Sequence, residues 1–412
     1  MNTAPMNMSQ PDGRNPLDVV AVGACSPAGL CARVIQREAA CGTMPFSLAG
    51  ITDQADEPVR AALVTALPEG AARTERLQAL AATAMAECLR RATKLGECPR
   101  RLPTILALPD VERAGTASPG ATFDANAVLA TLQETAGQSH TELTYPRGAF
   151  LPAGRAGFFE ALAAAWSLVV SQGGAVLIGA VDSHCDWASL RCAVENNRVM
   201  GSNNPDGVIP GEGAAFVLVS RRSSEPGSGL RPASASPRPR LVAFASGQEP
   251  RPFSTHSAVS AAGLTAVFSS IRNALPPRPD GSVRVDYLVS CQTGESYWDK
   301  EFSFAYLRNG ELLPEPLRLH LAAKAHGDAG VAAGGLQLVQ ALYLCERHGC
   351  EDDQPGPSTP SRPARALIYG CADTGAVGAC VLEATAAEAA STVLHLEPSH
   401  ALGEPRSNQG VQ

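Results

Sequence analysis

Hydrophobic positions along the chain form short continuous runs that alternate with longer stretches of helical spacing. Residues 19–22, 104–108 and 175–181 are apolar at nearly every position, which is typical of strands covered by helices on both sides of a sheet. Residues 74–95 instead repeat Leu and Ala every three or four positions, which predicts an amphipathic helix. Residues 157–170 are apolar nearly all round and predict a buried helix. This alternation predicts an α/β protein.

The same rhythm occurs twice. Residues 221–239 are rich in Ser, Pro, Gly and Arg with almost nothing to bury, which indicates a linker. After it, strand-like runs at 241–245 and 286–290 alternate again with helical stretches at 257–275 and 329–345. The order of elements predicts a duplicated α/β unit. We expect these segments: a flexible tail 1–17, a first half 18–220, the linker 221–239, a second half 240–385, and a loosely attached tail 386–412.

Composition excludes several classes of protein. The 412 residues carry 33 basic and 40 acidic side chains, a net charge of −7, so no basic excess exists to bind nucleic acid or an anionic membrane. No apolar stretch is long enough to span a bilayer, and the polar N-terminus lacks the apolar core of a secretory signal. The 12 cysteines are scattered without a C-x-x-C motif, which favours reduced, buried thiols in a cytoplasmic protein. Because phosphate-binding loops, H-E-x-x-H and zinc-type spacings are missing too, we expect no cofactor and no metal.

One motif points to a known family. Residues 206–215 read D-G-V-I-P-G-E-G-A-A and resemble the D-G-F-V-x-G-E-G-A-G signature of β-ketoacyl synthases, members of the thiolase superfamily. Residues 20–29, 176–183, 327–334 and 370–375 resemble other segments of that family in the same order. The resemblance implies two α/β halves stacked in five layers (αβαβα), usually paired into dimers. It also implies a cysteine nucleophile at the start of a buried helix and two histidines that stabilise the enolate of a malonyl group.

The catalytic positions implied by this resemblance are substituted. Counting back from the strand at 175–181 places Gly154 where the cysteine belongs, and no Cys, Ser or Thr lies nearby. Gln292, or Cys291 beside it, replaces the first histidine, and Asp328 replaces the second. The resemblance further implies a pocket lined here by four residues: Arg155, Phe158, Lys324 and Thr374.

Several of these residues also have simpler structural roles. Asp328 opens the predicted helix 329–345 and is a good N-cap, and Glu212 between Gly211 and Gly213 is more typical of a turn-fixing carboxylate than of a general base. A histidine such as His326 beside a glycine turn is usually a hydrogen-bonded structural residue. A different possibility stays open, in which Cys291 and His326 form a relocated thiolate–imidazole pair.

The sequence therefore supports a hypothesis with two alternatives. The main hypothesis is a β-ketoacyl synthase-like pseudoenzyme that lacks the Cys-His-His triad. It would act as a binding partner, adaptor or chaperone-like subunit, in the way that chain-length factors of some polyketide synthases lack the nucleophile and work as partners of an active subunit. Its partners would be a second copy, a related synthase or another protein, with acyl carrier protein a possible one. The first alternative is an active 3-oxoacyl-ACP synthase-type acyltransferase that uses a relocated Cys, and the second is a pocket that binds acyl chains without turnover.

Overall fold

The computed structural model describes residues 16–109, 122–221, 238–348 and 362–392. The strands of these residues are β1 Leu17–Cys25, β2 Ser47–Thr52, β3 Pro58–Ala61, β4 Arg101–Ala107, β5 Glu142–Thr144, β6 Phe150–Leu151, β7 Ala175–Ser183, β8 Glu212–Arg221, β9 Arg240–Gln248, β10 Tyr287–Ser290, β11 Leu319–Leu321, β12 Ala364–Cys371 and β13 Ala376–Ala384. The helices are α1 Ala32–Ala40, α2 Arg73–Lys94, α3 Ala125–Gly137, α4 Gly157–Gln172, α5 Trp187–Glu195, α6 Ala262–Ala274, α7 Ser296–Arg308, α8 Ala323–His326, α9 Ala333–Glu346 and α10 Ala386–Thr392.

Strand β1 joins the two halves of the chain. It pairs antiparallel with β8 along its length, and its first residues, Leu17 and Asp18, pair antiparallel with β9. The described strands of the first half continue from β8 through β7 and β4 to β5, with β6 also on β4, and those of the second half continue from β9 through β13, β12 and β10 to β11. Only β2 and β3 form a separate hairpin among the described strands.

Alternate residues of the strands face different helical layers. In β8, Ala215, Val217 and Val219 point into a central core that holds α4 and α9, whereas Phe216 and Leu218 pack with the helices α2 and α3. The strands of the second half likewise face α4 and α9 on one side and α6 and α7 on the other. Both faces of each half-sheet are therefore buried, which explains the continuous apolar runs of the sequence. The expected five-layer αβαβα architecture is confirmed.

Two helices begin later than the sequence pattern predicts. The stretch 257–275 becomes helical only at Ala262, because Ala261 has a φ of 54°, a left-handed conformation that cannot continue a right-handed helix. The stretch 329–345 starts with the 3-10 turn Gly330–Ala332, and α9 follows from Ala333. These departures move the helix boundaries without changing the layers.

The expected tails need one correction. Residues 1–15 and the linker residues 222–237 lie outside the described residues, whereas Leu17 is already buried in β1. The segment 386–412 was expected to be loosely attached, but its first seven residues form α10, which packs on α9 and buries Ala389. The Arg91 guanidinium also donates to the carbonyl oxygen of Thr392 at 2.8 Å. This hydrogen bond and the buried Ala389 attach α10 to the fold.

Candidate functional site

Gly154 lies at the head of the central helix α4 and offers no reactive atom. It begins the 3-10 turn Gly154–Ala156 that leads into the helix, with a φ of 50° in the left-handed region that favours glycine. A Cβ at this position would lie 3.1 Å from the Cβ of Ala372, so even a small side chain would be tight. Where the resemblance implies a nucleophile, the backbone itself therefore favours glycine.

The next residue, Arg155, fills the space in front of α4. Its guanidinium is buried and donates to Oδ2 of Asp328 at 2.9 Å and to Oδ1 of Asp373 at 2.8 Å. Its Nε donates to the carbonyl oxygen of Cys371 at 3.0 Å, and its Cζ lies 4.5 Å from the centre of the Trp298 ring. Burial alone would lower the pKa of Arg155, but the two carboxylates raise it above its ordinary value. The guanidinium is thus a permanent cation with four directed contacts.

A second arginine extends the arrangement toward the surface. Arg198, about a quarter exposed, donates to both oxygens of Glu295 at 2.9 and 3.2 Å and to Asp373 at 3.0 Å. Its Cζ lies 4.6 Å from the centre of the Phe253 ring, which stacks on Trp298 with ring centres 5.4 Å apart. The Trp298 indole N–H donates to Glu295 at 2.8 Å. From the surface to the interior, the order is therefore Arg198, Phe253, Trp298 and Arg155, in which each cation lies over an aromatic ring and the two rings stack on each other.

We call the five charged residues of this arrangement the Arg155 cluster: Arg155, Arg198, Glu295, Asp328 and Asp373. Its arginines come from the first half of the chain, and its carboxylates come from the second. Both arginines contact Asp373, which makes this carboxylate the centre of the cluster. The charges are paired across the interface between the halves, and all of them except that of the partly exposed Arg198 are largely buried.

Gln292, which the resemblance aligns with the first histidine, is held by neighbouring polar groups. Its side-chain oxygen accepts from the Ser290 hydroxyl at 2.7 Å, and its amide nitrogen donates to the carboxylate of Asp299. Its backbone N–H donates to the same Ser290 hydroxyl at 3.0 Å. These bonds fix the amide in place, and an amide cannot act as a proton-transferring group near neutral pH as an imidazole can.

Asp328, at the second histidine position, has a structural and an electrostatic role. Its Oδ1 accepts from the Gly330 N–H at 3.1 Å, so it caps the 3-10 turn rather than α9 itself, which corrects the expected N-cap of a helix starting at residue 329. Burial raises the pKa of Asp328, but the charge of Arg155 prevails and lowers it below its ordinary value. The carboxylate is therefore negative, the opposite of what a developing enolate needs.

The two relocated candidates do not face each other. The His326 ring is hydrogen-bonded through Nδ1 to the Ser26 hydroxyl at 3.1 Å and through Nε2 to the Gln340 amide at 3.3 Å. Cys291 Sγ instead accepts from the Cys371 N–H at 3.3 Å. Burial lowers the pKa of His326 to about 3. Both imidazole nitrogens are hydrogen-bonded to other groups, so the structure does not form the thiolate–imidazole pair that the sequence left open.

Three of the four residues expected to line a pocket lie elsewhere. Phe158 is fully buried in the central core, where its ring packs against the backbone of Gly334 in α9. Lys324 and Thr374 are exposed, the first on the short helix α8 and the second in the turn between β12 and β13. Only Arg155 belongs to the site. The resemblance positions residues along the backbone, but the direction of each side chain depends on local geometry.

The Gly211–Glu212–Gly213 motif is structural. The Glu212 carboxylate is fully buried and accepts from Arg76 at 2.9 and 3.1 Å and from the Ser183 hydroxyl at 2.8 Å. A Cβ at Gly211 would lie within 2 Å of the His326 carbonyl oxygen, and one at Gly213 would lie 2.9 Å from another carbonyl, that of Cys25. Both glycines are needed because the backbones pass so closely, and the carboxylate is fully engaged by its partners.

Sequence reasoning missed four residues of the site: Arg198, Glu295, Trp298 and Asp373. Asp373 follows the strand β12 within the turn that resembles the family, which was the available signal for it. Glu295 precedes α7, and Trp298 lies in its first turn, but nothing local predicts that they meet an arginine 97 residues earlier in the chain.

In the part of the chain that the structure describes, no group of His, Cys, Asp and Glu side chains is arranged to hold a metal ion. No helix of those residues is both long and apolar enough to cross a membrane.

The sequence matches no protein-family model and no curated protein. Solved structures match it through their fold. The ishigamide ketosynthase/chain length factor is 18% identical with a TM-score of 0.60, over 90% of this chain and 99% of that one. A type II polyketide synthase ketosynthase in complex with its acyl-carrier protein (AntDE:AntF) is 14% identical with a TM-score of 0.66, over 90% and 99%. The ketosynthase from module 6 of the bacillaene synthase of Bacillus subtilis 168, in its C167S form, is 13% identical with a TM-score of 0.64, over 90% and 72%. The chain therefore has the thiolase-like ketosynthase fold, which confirms the predicted resemblance at the level of the fold.

Proposed function

We propose that this protein is a non-catalytic, ketosynthase-like subunit that acts by binding another protein in the cytoplasm. The observation that carries the proposal is the Arg155 cluster in front of α4. Condensation needs a nucleophile there and donors for a developing oxyanion, and this chain has Gly154, the amide of Gln292 and the carboxylate of Asp328. The space is filled by Arg155, which is only 4% exposed.

The proposed partner is a second ketosynthase-fold chain, identical to this one or a related synthase. Two of the similar structures support this choice, since one is described as a ketosynthase/chain length factor and the other as a ketosynthase in complex with its acyl-carrier protein. Edge strands such as β5 also favour pairing, because an open sheet edge invites association. Acyl carrier protein is a further proposed partner of such an assembly.

Loss of chemistry is tested by intact-mass measurement. The purified protein is incubated with an acyl-CoA and with an acyl-loaded carrier protein, beside an active ketosynthase as the positive control. We expect the control to gain the acyl mass and this chain to remain unmodified. Any acylation of this chain would contradict a non-catalytic role, whether or not it persists in the Cys291→Ser variant.

The binding role is tested by light scattering coupled to size-exclusion chromatography. The protein is measured alone and after co-expression with an active ketosynthase. We expect a dimer of about 85 kDa alone, twice the chain mass of 42.7 kDa, or a stable mixed complex in the co-expressed sample. A monomer in both samples would contradict the proposal. Stabilisation by acyl-CoA without a covalent product would instead favour an acyl-binding role.

One observation favours the alternative, an acyltransferase that uses Cys291. Burial acts to raise the pKa of the Cys291 thiol, but the hydrogen bond with Cys371 and the charge of Arg155 outweigh it and lower the pKa. A lowered pKa favours the nucleophilic thiolate. The missing element is a base, since His326 is engaged elsewhere. Acylation lost in Cys291→Ser would establish this alternative.

A further inference from the structure

Two cysteines meet beneath the Arg155 cluster, at the ends of neighbouring parallel strands. β10 and β12 pair with Leu288 opposite Leu367 and Val289 opposite Ile368. Cys291 directly follows β10, and Cys371 ends β12, so the two residues lie two and three positions beyond the last pair, Val289 and Ile368, and are diagonal neighbours if that register is continued. Both side chains point into the same core, between the sheet of the second half and the layer of α6 and α7.

The contacts between these cysteines are direct. The Cys371 N–H donates to Cys291 Sγ at 3.3 Å. Adjacent strands place such Cα atoms within the range of about 4.4–6.8 Å that a disulfide spans.

The surroundings give the two sulfurs different properties. The Arg155 guanidinium acts on Cys291 and favours its thiolate, whereas burial raises the pKa of Cys371 well above its ordinary value. Burial raises the pKa of the neighbouring Glu301 carboxyl to about 7, so this group can accept and return a proton near neutral pH. A thiolate beside a protonated thiol is the arrangement of an attacking cysteine and a resolving cysteine.

We propose that Cys291 and Cys371 are a redox-active pair that a hydroperoxide converts to a disulfide. The Cys291 thiolate attacks the distal peroxide oxygen, the O–O bond breaks, and the leaving alkoxide or hydroxide takes the proton that Cys291 had lost. Cys371 then attacks the sulfenic acid, its proton passes through Glu301 to the leaving hydroxyl, and water departs as the S–S bond forms. Two thiols and one hydroperoxide thus yield one disulfide, one alcohol (or water) and one water.

The disulfide would tie together the two loops that carry the Arg155 cluster. Residues 291–295 contribute Glu295, and residues 371–375 contribute Asp373, both of which bind Arg198. Oxidation would therefore restrain the cluster and raise the resistance of the fold to denaturant. The disulfide does not depend on the proposed function. It is detected as the loss of two hydrogen atoms on oxidation, whereas the proposed function is tested by acylation and by complex formation.

The test maps thiols after oxidation of the full-length protein. The reduced chain is treated with hydrogen peroxide, remaining thiols are blocked with N-ethylmaleimide in denaturant, and peptides are analysed by mass spectrometry. We expect a linked peptide pair that contains Cys291 and Cys371, together with a higher urea midpoint of the oxidised protein. Recovery of both cysteines as maleimide adducts, or linkage of either one to a different cysteine, would overturn the proposal.

Three variants assign the steps. Cys371→Ser should stop at a sulfenic acid on Cys291, trapped by dimedone, and Cys291→Ser should give neither product. Cys380→Ser is the matched control, since this buried cysteine of β13 points into the other core and its loss should leave the disulfide intact. If a variant fails to fold, the linked peptide of the wild-type chain still decides the question. Dimedone labelling of Cys371 rather than Cys291 would contradict the assigned order of attack.

Discussion

Arg155 differs from a surface arginine in what its removal leaves behind. Replacing it by Met would keep much of the side-chain volume but would remove the cation that pairs with both Asp328 and Asp373. Breaking a buried pair typically costs about 3–5 kcal/mol, whereas an exposed pair contributes about 0–1 kcal/mol. We expect Arg155→Met to lower the free energy of unfolding by about 3 kcal/mol or more, measured by urea denaturation.

The matched control is Arg101→Met. Arg101 pairs with Glu142 on the surface, with side chains 76% and 56% exposed, and its loss should change the free energy of unfolding little. The pH dependence gives a second check. Asp328 in the wild type has a lowered pKa, so its contribution is present above the ordinary value of about 3.9 and is lost as the pH falls through the folded pKa. The deficit of Arg155→Met should therefore persist at pH 4 and shrink only below the ordinary Asp pKa, and an equal deficit at pH 7 and pH 2 would argue against this account.

His326 makes a separate prediction about pH. The unfolded chain protonates this residue near its ordinary pKa of about 6.5, whereas burial holds the folded pKa at about 3. Between these values the unfolded state binds more protons, so stability falls as the pH is lowered, by up to about 1.4 kcal/mol per pH unit. We expect His326→Gln to flatten the stability curve between pH 6 and pH 4, measured by urea denaturation. Parallel curves for the two proteins over that interval would contradict the prediction, and the interval from pH 8 to pH 7 is the internal control.

At the scale of elements, the central layer depends on two glycines of α9. A Cβ at Gly334 would lie 2.7 Å from the Cβ of Phe158 in α4, and one at Gly335 would lie 2.6 Å from that of Ala215 in β8. Real side-chain atoms do not approach so closely, so the helices would have to separate. The glycines therefore set the distance between α9 and its neighbours.

We expect Gly334→Ala to destabilise the protein by about 1–3 kcal/mol, because overpacking forces the layers apart. Gly137→Ala is the control: this glycine ends α3, has open space around its Cβ position, and should tolerate or slightly favour Ala. Thermal and urea denaturation of both variants measure the difference. Equal effects at the two positions would show that close packing of α9 does not decide the cost.

The elements that the sequence predicted are those of the buried layers. The strands β4 and β7 and the helices α2, α4 and α9 are apolar on the faces that the five-layer stack covers, so their pattern follows directly from their burial. Helix α7 was missed although it carried a signal, since Trp298, Phe302 and Ala305 recur at helical spacing and are buried. The α5 helix buries only Leu190 along its length, which leaves almost no periodic pattern to read.

At the scale of the molecule, only part of the candidate site could be predicted. Sequence counting predicted Gly154, Gln292 and Asp328 as substituted catalytic positions, because a motif specifies positions along the backbone, and this assignment stays a prediction. Sequence counting could not find the Arg155 cluster, since Arg155 meets Asp328 and Asp373 across 173 and 218 residues of chain. Such contacts depend on how the two halves are stacked, and no local pattern encodes that distance.

The same stacking predicts that the halves unfold together. Helix α4 of the first half and helix α9 of the second share one core, and Trp166 of α4 packs edge-on against Phe244 of β9 with ring centres 5.8 Å apart. The Arg155 cluster adds buried ion pairs across the same interface. Unfolding of either half would expose the core-facing surface of the other half to water. We therefore expect the whole chain to unfold in a single cooperative transition.

Trp298 offers a local probe of this cooperativity, because it is buried between α7 and the Arg155 cluster. In the variant Trp166→Phe/Trp187→Phe it is the one remaining tryptophan of the three in the chain. We expect its fluorescence and the far-UV circular dichroism of the whole chain to give the same urea midpoint. Adding Arg155→Met should move both midpoints by the same amount, since the cluster stabilises the joined halves and not one of them. A fluorescence transition that precedes the loss of helical signal would show that the second half opens alone, and that the cluster does not couple the two.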